Sequence, residues 1–314
     1  MTPGPAIDDN PALGILLMLG FCVLAPLADA VAKLLGARMD VGQLVLIRFL
    51  AQAVIFTPLA IWLGRFIWPR GRVLRLTAWR TLFHIAGTGM MFLALRHLPL
   101  ADAIAIAYVM PFIILILGHV FLGEVVGRHR TLACVVGFAG TLMVVQPSFA
   151  EVGWPALLPV AVAVDFALFT LVTRQVAKDI DPVALQAVSG LMAAGVLLPL
   201  VGVASLFGMA EMRWIMPEGD DWALLALMAL LAPFAHLVLT AALRFAPSAT
   251  LAPMQYLEIP VAAVFGWLIF REFPNGLALA GIVVTVGAGL YIVARERRLF
   301  RNGSSRIEHN LLNP

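Results

Sequence analysis

The sequence predicts an all-α membrane protein in which ten transmembrane helices form two inverted five-helix repeats around a central cavity. Three observations lead to this. First, 62% of the 314 residues are hydrophobic and 12% are charged, whereas soluble domains carry roughly 25% charged residues. Second, the apolar residues come in blocks of about 20, the length that a helix needs to cross a bilayer. Third, the second half of the chain repeats the pattern of the first.

The apolar blocks define ten spans joined by short connections. We predict them at 13–35, 42–64, 77–97, 100–122, 129–146, 155–177, 183–208, 222–243, 247–270 and 276–294. The chain then divides into a cytoplasmic N-terminal segment, 1–12, a first repeat, 13–146, a second repeat, 155–294, and a basic cytoplasmic tail, 295–314. These connections leave no room for a soluble catalytic domain.

The distribution of basic residues predicts the orientation. Fifteen of the 21 lysines and arginines fall on the side of the two termini, five fall on the opposite side, and Arg48 lies inside the second span. Because cytoplasmic loops carry an excess of Lys and Arg, both termini should be cytoplasmic. The fifteen are Arg65, Arg70, Arg72, Arg75, Arg80, Arg128, Arg130, Arg174, Lys178, Arg244, Arg295, Arg297, Arg298, Arg301 and Arg306.

An internal repeat relates the two halves. Residues 94–145 align with residues 242–293 at a constant shift of 148, which places Glu124 over Glu272, and earlier residues match more weakly at a shift of 141. Five spans per half is an odd number, so the second copy enters the membrane in the opposite orientation. Inverted repeats are typical of transporters whose site near the midplane opens alternately to either side.

Four short motifs accompany this repeat: Arg48–Phe49, Ala94–Pro99, Leu122–Glu124 and Glu258–Pro260. With the repeat, they make the chain resemble the drug/metabolite transporter superfamily, specifically its EamA-type branch, over residues 12–296. The resemblance implies a ten-helix basket in the bacterial inner (plasma) membrane, with spans five and ten outside the pathway. Bacterial members commonly export amino acids and related metabolites. The chain departs from the family pattern at Ile259, which separates Glu258 from Pro260.

Polar residues inside the spans are the first candidate substrate-binding residues, because ionisable groups at membrane depth are costly. Asp165 and Glu258 lie near the centres of spans six and nine. His84, Thr88 and Met91 recur on one face of span three. For each of these residues, a purely structural hydrogen bond between helices is the alternative.

Aromatic and proline residues are the second group. Tyr108 precedes Pro111, and its repeat mate Tyr256 precedes Pro260. Proline interrupts the helical hydrogen bonds, so these two positions are predicted hinges with an aromatic lining.

The remaining candidates lie beside these groups. Phe169 is one turn from Asp165, and His236 lies on span eight. Asp29, Lys33 and Arg48 lie toward the outer ends of spans one and two, where we expect a gate.

Other functions lack a sequence pattern. Cys22 and Cys134 lie inside apolar blocks without metal-ligand spacing, so no metal or other cofactor is expected. No protease, nucleophile-elbow or phosphate-loop motif is present, and the basic residues form no nucleic-acid-binding patch.

We therefore expect a secondary transporter or facilitator that exports amino acids or similar small metabolites by alternating access, with a small molecule and lipid as its partners. An intramembrane lipid or group transferase and a channel are the alternatives. The sequence leaves the oligomeric state and energy coupling open.

Overall fold

A computed structural model describes residues 10–110, 112–113, 116–117, 120, 128–246, 251, 254–291 and 294–295. Within these ranges the chain is helical and contains no strand. The helices are α1 Pro11–Gly36, α2 Val41–Trp62, α3 Gly71–Leu95, α4 Leu100–Ala107, α5 Arg128–Val152, α6 Leu158–Val176, α7 Pro182–Leu206, α8 Asp221–Phe245, α9 Glu258–Phe265 and α10 Gly276–Tyr291. A 3₁₀ turn, Trp154–Leu157, precedes α6, and a π turn, Gly266–Phe270, follows α9.

Six of these helices are long and apolar enough to cross a membrane by length and composition: α1, α2, α5, α6, α7 and α8. The chain is therefore a multi-pass membrane protein. Helix α3 is also 25 residues long but carries arginines in its first three turns. It begins at Gly71, six residues before the predicted start, while α5 ends at Val152, six residues after the predicted end.

The halves of the chain pack against each other in a reciprocal pattern. The most extensive contacts join α1 to α8, α2 to α7 and α3 to α6, and α4 packs against α9. Suppose that α1 corresponds to α6, α2 to α7, and so on up to α5 and α10. Replacing each helix by its counterpart then converts the α1–α8 contact into the α6–α3 contact. The α2–α7 and α4–α9 contacts are each converted into themselves. Two bodies related by a two-fold axis would make contacts of this kind.

Both α4 and α9 have a break at corresponding positions. Residues 108–109 form a turn at the end of α4, and residues 256–257 form a turn immediately before α9. Pro260 has no N–H group, and the Tyr256 carbonyl instead accepts from the Ile259 N–H at 3.3 Å. Pro111, the other predicted hinge proline, lies outside the described residues.

Glycines allow α5 and α10 to approach closely. A Cβ atom on Gly140 would lie 2.7 Å from the Gly281 carbonyl oxygen, and the Thr285 hydroxyl donates to the Gly137 carbonyl at 3.3 Å. Small residues at such contacts are common where membrane helices pack tightly.

Candidate functional site

A cavity of about 900 Å³, counting its open part, lies between the two halves of the chain. Side chains from α1, α2, α3, α6, α8 and α9 line it, together with residues in and just after α4. Among the described residues, none from α5, α7 or α10 lines it. The helices that surround the cavity thus come from both halves.

Three rings form one end of this cavity, and we call them the ring triad: His84 of α3, Phe169 of α6 and His236 of α8. The centroids of the two histidine rings are 4.1 Å apart, and Phe169 lies 5.0 Å from His84 and 5.8 Å from His236. Phe21 and Phe166 pack around His236 at 6.0 and 6.4 Å. The result is an aromatic wall against which a flat or apolar group can pack.

Arg48 supplies positive charge to the cavity wall. It is buried on α2, donates to the Thr88 hydroxyl and lies 3.2 Å from Nε2 of His84. Arg48 thus reaches from α2 to His84 and Thr88, two of the residues that the sequence places on one face of span three. Asp29 of α1 lines the same cavity.

Two further carboxylates line the cavity from the second half of the chain. Asp165 of α6 is half-buried, and its carboxylate contacts the α3 backbone at Gly87, where there is no side chain. Glu258 is buried at the start of α9 and lies beside Tyr108, which lines the same cavity. The Tyr108–Glu258 contact connects the break in α4 to the break before α9.

Several polar atoms of the residues that line this cavity have no hydrogen-bond partner among the described residues. They are Nε of Arg48, Nδ1 of His84, Nδ1 of His236 and Oε1 of Glu258, and all four belong to buried residues that line the cavity. An unpaired buried polar atom costs free energy. A bound molecule with both donors and acceptors would remove that cost at several atoms at once.

The structure brings together most of the candidates that the sequence indicates. His84, Thr88, Met91, Tyr108, Asp165, Phe169, His236, Glu258, Asp29 and Arg48 all line the cavity. Pro260 lies within α9, away from the lining.

The packing places two other candidates, Tyr256 and Lys33, outside the cavity lining. Tyr256 does not line the cavity; its ring fits against Gly137 of α5 and Gly289 of α10, which have no side chains to exclude it. Lys33 lies away from the cavity as well. Its Nζ pairs with the Glu272 carboxylate at 2.7 Å and donates to the Leu98 carbonyl at 2.8 Å, so it joins the ends of several helices.

Arg80 is the functional candidate that sequence reasoning missed. The charge distribution groups it with the cytoplasmic arginines, but the structure buries it completely. Its guanidinium carbon lies 4.8 Å from the centroid of the Phe169 ring. The spacing of four residues between Arg80 and His84 could have indicated an inward position for Arg80, because it places both side chains on the same face of α3.

Arg96 binds the Gly36 and Met39 carbonyls at 2.8 and 2.6 Å and pairs with Glu211. It therefore connects the end of α1 to the connection that precedes α8.

Comparison with known proteins identifies the group to which this arrangement belongs. The model of the EamA-like transporter family matches residues 12–146 and again residues 153–294. An S-adenosylmethionine uptake transporter of Rickettsia prowazekii is 24% identical over 91% of this chain and 94% of its own length. A riboflavin transporter of Rhizobium johnstonii is 31% identical over 70% and 72%. A pseudopaline exporter of Pseudomonas aeruginosa is 28% identical over 63% and 67%.

A solved structure has the same fold. It superposes with a TM-score of 0.67 over 92% of this chain and 97% of its own, at 16% identity. The names of the relatives are those of transporters of small molecules rather than of enzymes. The described residues contain no group of three or more His, Cys, Asp and Glu side chains that could hold a metal ion.

Proposed function

Because the chain belongs to the EamA-like transporter family, we propose that it is a secondary transporter or facilitator that exports amino acids or similar small metabolites by alternating access. The observation that carries this proposal is the cavity between the two halves, with its unpaired polar atoms of both kinds. A zwitterion can satisfy Arg48 with its carboxylate and Asp29, Asp165 or Glu258 with its ammonium group.

The lining favours a substrate with an apolar or aromatic part. The ring triad, Phe21 and Phe166 form one continuous wall. Stacked and edge-on rings at these distances attract another ring. Aromatic amino acids, and zwitterions that carry a flat heterocycle, fit both the charges and the wall.

Alternating access needs two halves that can exchange roles. Two features support a pair of inverted repeats of five helices each. The α1–α8 contact corresponds to the α3–α6 contact, and the break at the end of α4 corresponds to the break before α9. In this proposal the breaks at Tyr108 and Tyr256 are the hinges. Movement of one half against the other opens the cavity first to one side and then to the other.

The orientation follows from charge. We propose that both termini are cytoplasmic in the bacterial inner membrane, because the connections on the terminus side carry most of the lysines and arginines. On that side, Arg65 pairs with Asp181 at 3.2 Å and Arg72 pairs with Asp179 at 3.2 Å. These exposed pairs join the two halves at the cytoplasmic surface.

For energy coupling we favour facilitation. A zwitterion carries its own balancing charges, so one cavity can carry it down its gradient without a coupled ion. If flux is coupled to protons, Asp165 is the candidate carrier, because it lines the cavity and is only half-buried.

The test is transport by the purified full-length chain in liposomes. A panel of labelled amino acids, S-adenosylmethionine and riboflavin is offered at equal concentration, and both uptake and counterflow are measured. The proposal predicts saturable counterflow for at least one amino acid, above that of empty liposomes. Counterflow of riboflavin or S-adenosylmethionine with none of any amino acid would retain a transporter but overturn the substrate class.

A further inference from the structure

Arg80 and the groups around it lie directly beneath the ring triad, and a role for them in binding substrate rests on the proposed function. Each ring of the triad has a polar residue four positions away on its own helix: Arg80 on α3, Thr173 on α6 and Thr240 on α8. Four residues of α-helix span about 6 Å along the axis. These three residues therefore form a layer one turn below the cavity, at the end where α3 begins.

The guanidinium of Arg80 is held within this layer by neutral hydroxyl groups. Its Nε donates to Thr173 Oγ1 at 3.1 Å, Nη1 donates to Ser189 Oγ at 2.9 Å, and Nη2 donates to Thr240 Oγ1 at 3.2 Å. We call Arg80, Thr173, Ser189 and Thr240 the Arg80 layer. It draws on four helices, α3, α6, α7 and α8.

The charge of Arg80 has no counter-ion in the part of the chain that the structure describes. All three side-chain partners are hydroxyls, and no described carboxylate forms an ion pair with it. Hydroxyls orient a guanidinium but do not neutralise it, and a buried charge without an opposite charge is strongly unfavourable. A residue without charge could join the same helices at lower cost.

A second observation points to a ligand. The Gln186 side chain is fully buried and donates to Thr240 Oγ1 at 3.1 Å, which also accepts from Arg80. Its Oε1 atom has no hydrogen-bond partner in the ranges that the structure describes. The layer therefore offers a cation and, beside it, a free acceptor, a combination suited to the carboxylate and ammonium groups of an amino acid.

From this geometry we propose that the Arg80 layer is a second substrate site, which binds the carboxylate of the zwitterion after the ring triad opens. Arg48 marks the first site, since it contacts α3 at Thr88, eight residues and about 12 Å beyond Arg80 along the helix. The Phe169 ring separates the two, with Arg80 against it and the cavity beyond it. The carboxylate moves from Arg48 to Arg80 as the protein opens at the end where α3 begins.

The kinetic test uses Arg80→Gln and Arg80→Lys in oriented liposomes. The probes are the best-carried amino acid of the panel and its carboxamide, in which a neutral amide replaces the carboxylate. Loss of a charge-assisted hydrogen bond corresponds to roughly a tenfold effect or more. For substrate offered from the α3-start side, Arg80→Gln should raise the KM of the amino acid about tenfold and that of the amide less than about twofold, with Arg80→Lys intermediate. Equal changes for both probes, or no change, would overturn the proposal.

A labelling test stands independently of substrate identity and of the folding of Arg80→Gln. Arg80→Cys is placed in a chain in which Cys22 and Cys134 are serine, and an anionic methanethiosulfonate is applied to either face. We expect the cysteine at position 80 to react only when the reagent is applied to the membrane face at which α3 begins. The control, Val144→Cys on α5, is equally buried but outside the pathway and should not react. If Arg80→Cys is unreactive from both faces, Arg80 stays buried and the second site is refuted. If it reacts while no amino acid is carried, the proposed substrate class fails, whereas the access of an anion to the Arg80 layer from that face is retained.

Discussion

Gly87→Ala should displace Asp165 from its position in the cavity. A Cβ atom at residue 87 would lie 3.3 Å from Asp165 Cγ and would overlap the carboxylate oxygen. The side chain must rotate away, because the α3 backbone cannot. An off-rotamer side chain costs about 0.5–1.5 kcal/mol, so the variant should fold with slightly reduced stability.

The effect on transport is larger if Asp165 contacts the substrate. A hydrogen bond to a charged group contributes about 1.5–3 kcal/mol, which is at least roughly tenfold in affinity. We therefore expect Gly87→Ala to raise the KM for the carried amino acid about tenfold in liposomes, with kcat changed less. In an Asp165→Ala background, Gly87→Ala should change KM little further, since the carboxylate that it displaces is absent.

Gly89→Ala is the matched control. It lies on the same helix, and a Cβ atom there meets nothing within 4 Å. Ala has a higher helix propensity than Gly by up to about 1 kcal/mol, so this variant should be at least as stable as the parent and have the same KM. An unchanged KM in Gly87→Ala, or additive effects of Gly87→Ala and Asp165→Ala, would refute the reasoning.

Four other outcomes follow from the account. A cysteine at Arg70, in a chain without native cysteines, should react with an impermeant reagent only after permeabilisation; labelling in intact cells would reverse the topology. With the membrane potential clamped, a pH gradient of about two units should drive no uphill accumulation; accumulation that Asp165→Asn abolishes would instead identify a proton carrier. Lys33→Met should lower the thermal midpoint, because it removes the cation that pairs with Glu272 and donates to the Leu98 carbonyl, whereas an unchanged midpoint would show that this pair adds no stability. Gly140→Ala should destabilise the fold at the α5–α10 contact without changing KM, and an altered KM would place α5 in the pathway.

Much of the architecture could be predicted because bilayer thickness dictates helix length. The predicted starts and ends of spans one, two, seven and eight fall within about two residues of the observed helices. The family resemblance, which rested on short motifs such as Ala94–Pro99, is confirmed by the family match over both halves of the chain.

Several cavity residues could also be predicted from the sequence. A polar or ionisable side chain inside an apolar helix needs a polar environment, and Asp165, His84 and His236 all line one cavity. The aromatic neighbours Phe21 and Phe166 were not identified, because a phenylalanine in a membrane helix has the same pattern whether it faces lipid, a neighbouring helix or a cavity.

What the sequence could not supply was the pairing between helices. Lys33 pairs with Glu272, 239 residues away, and Tyr256 packs against Gly137 and Gly289 rather than facing the cavity. Arg80 was misassigned because the count of basic residues at helix ends cannot distinguish an arginine at the surface from one that reaches inward. Only the packing of α3 against α6 decides this.

Transport by His84→Ala and Asp165→Ala is the most direct test of the claim that substrate binds in the cavity between the two halves. Both side chains line the cavity, one from each half, so both substitutions remove contacts from the same ligand. Counterflow of the best-carried amino acid should show a KM raised about tenfold or more in each variant, with protein amounts and thermal midpoints close to those of the parent. Two correctly inserted variants that carry this substrate with unchanged rate and affinity would contradict the account.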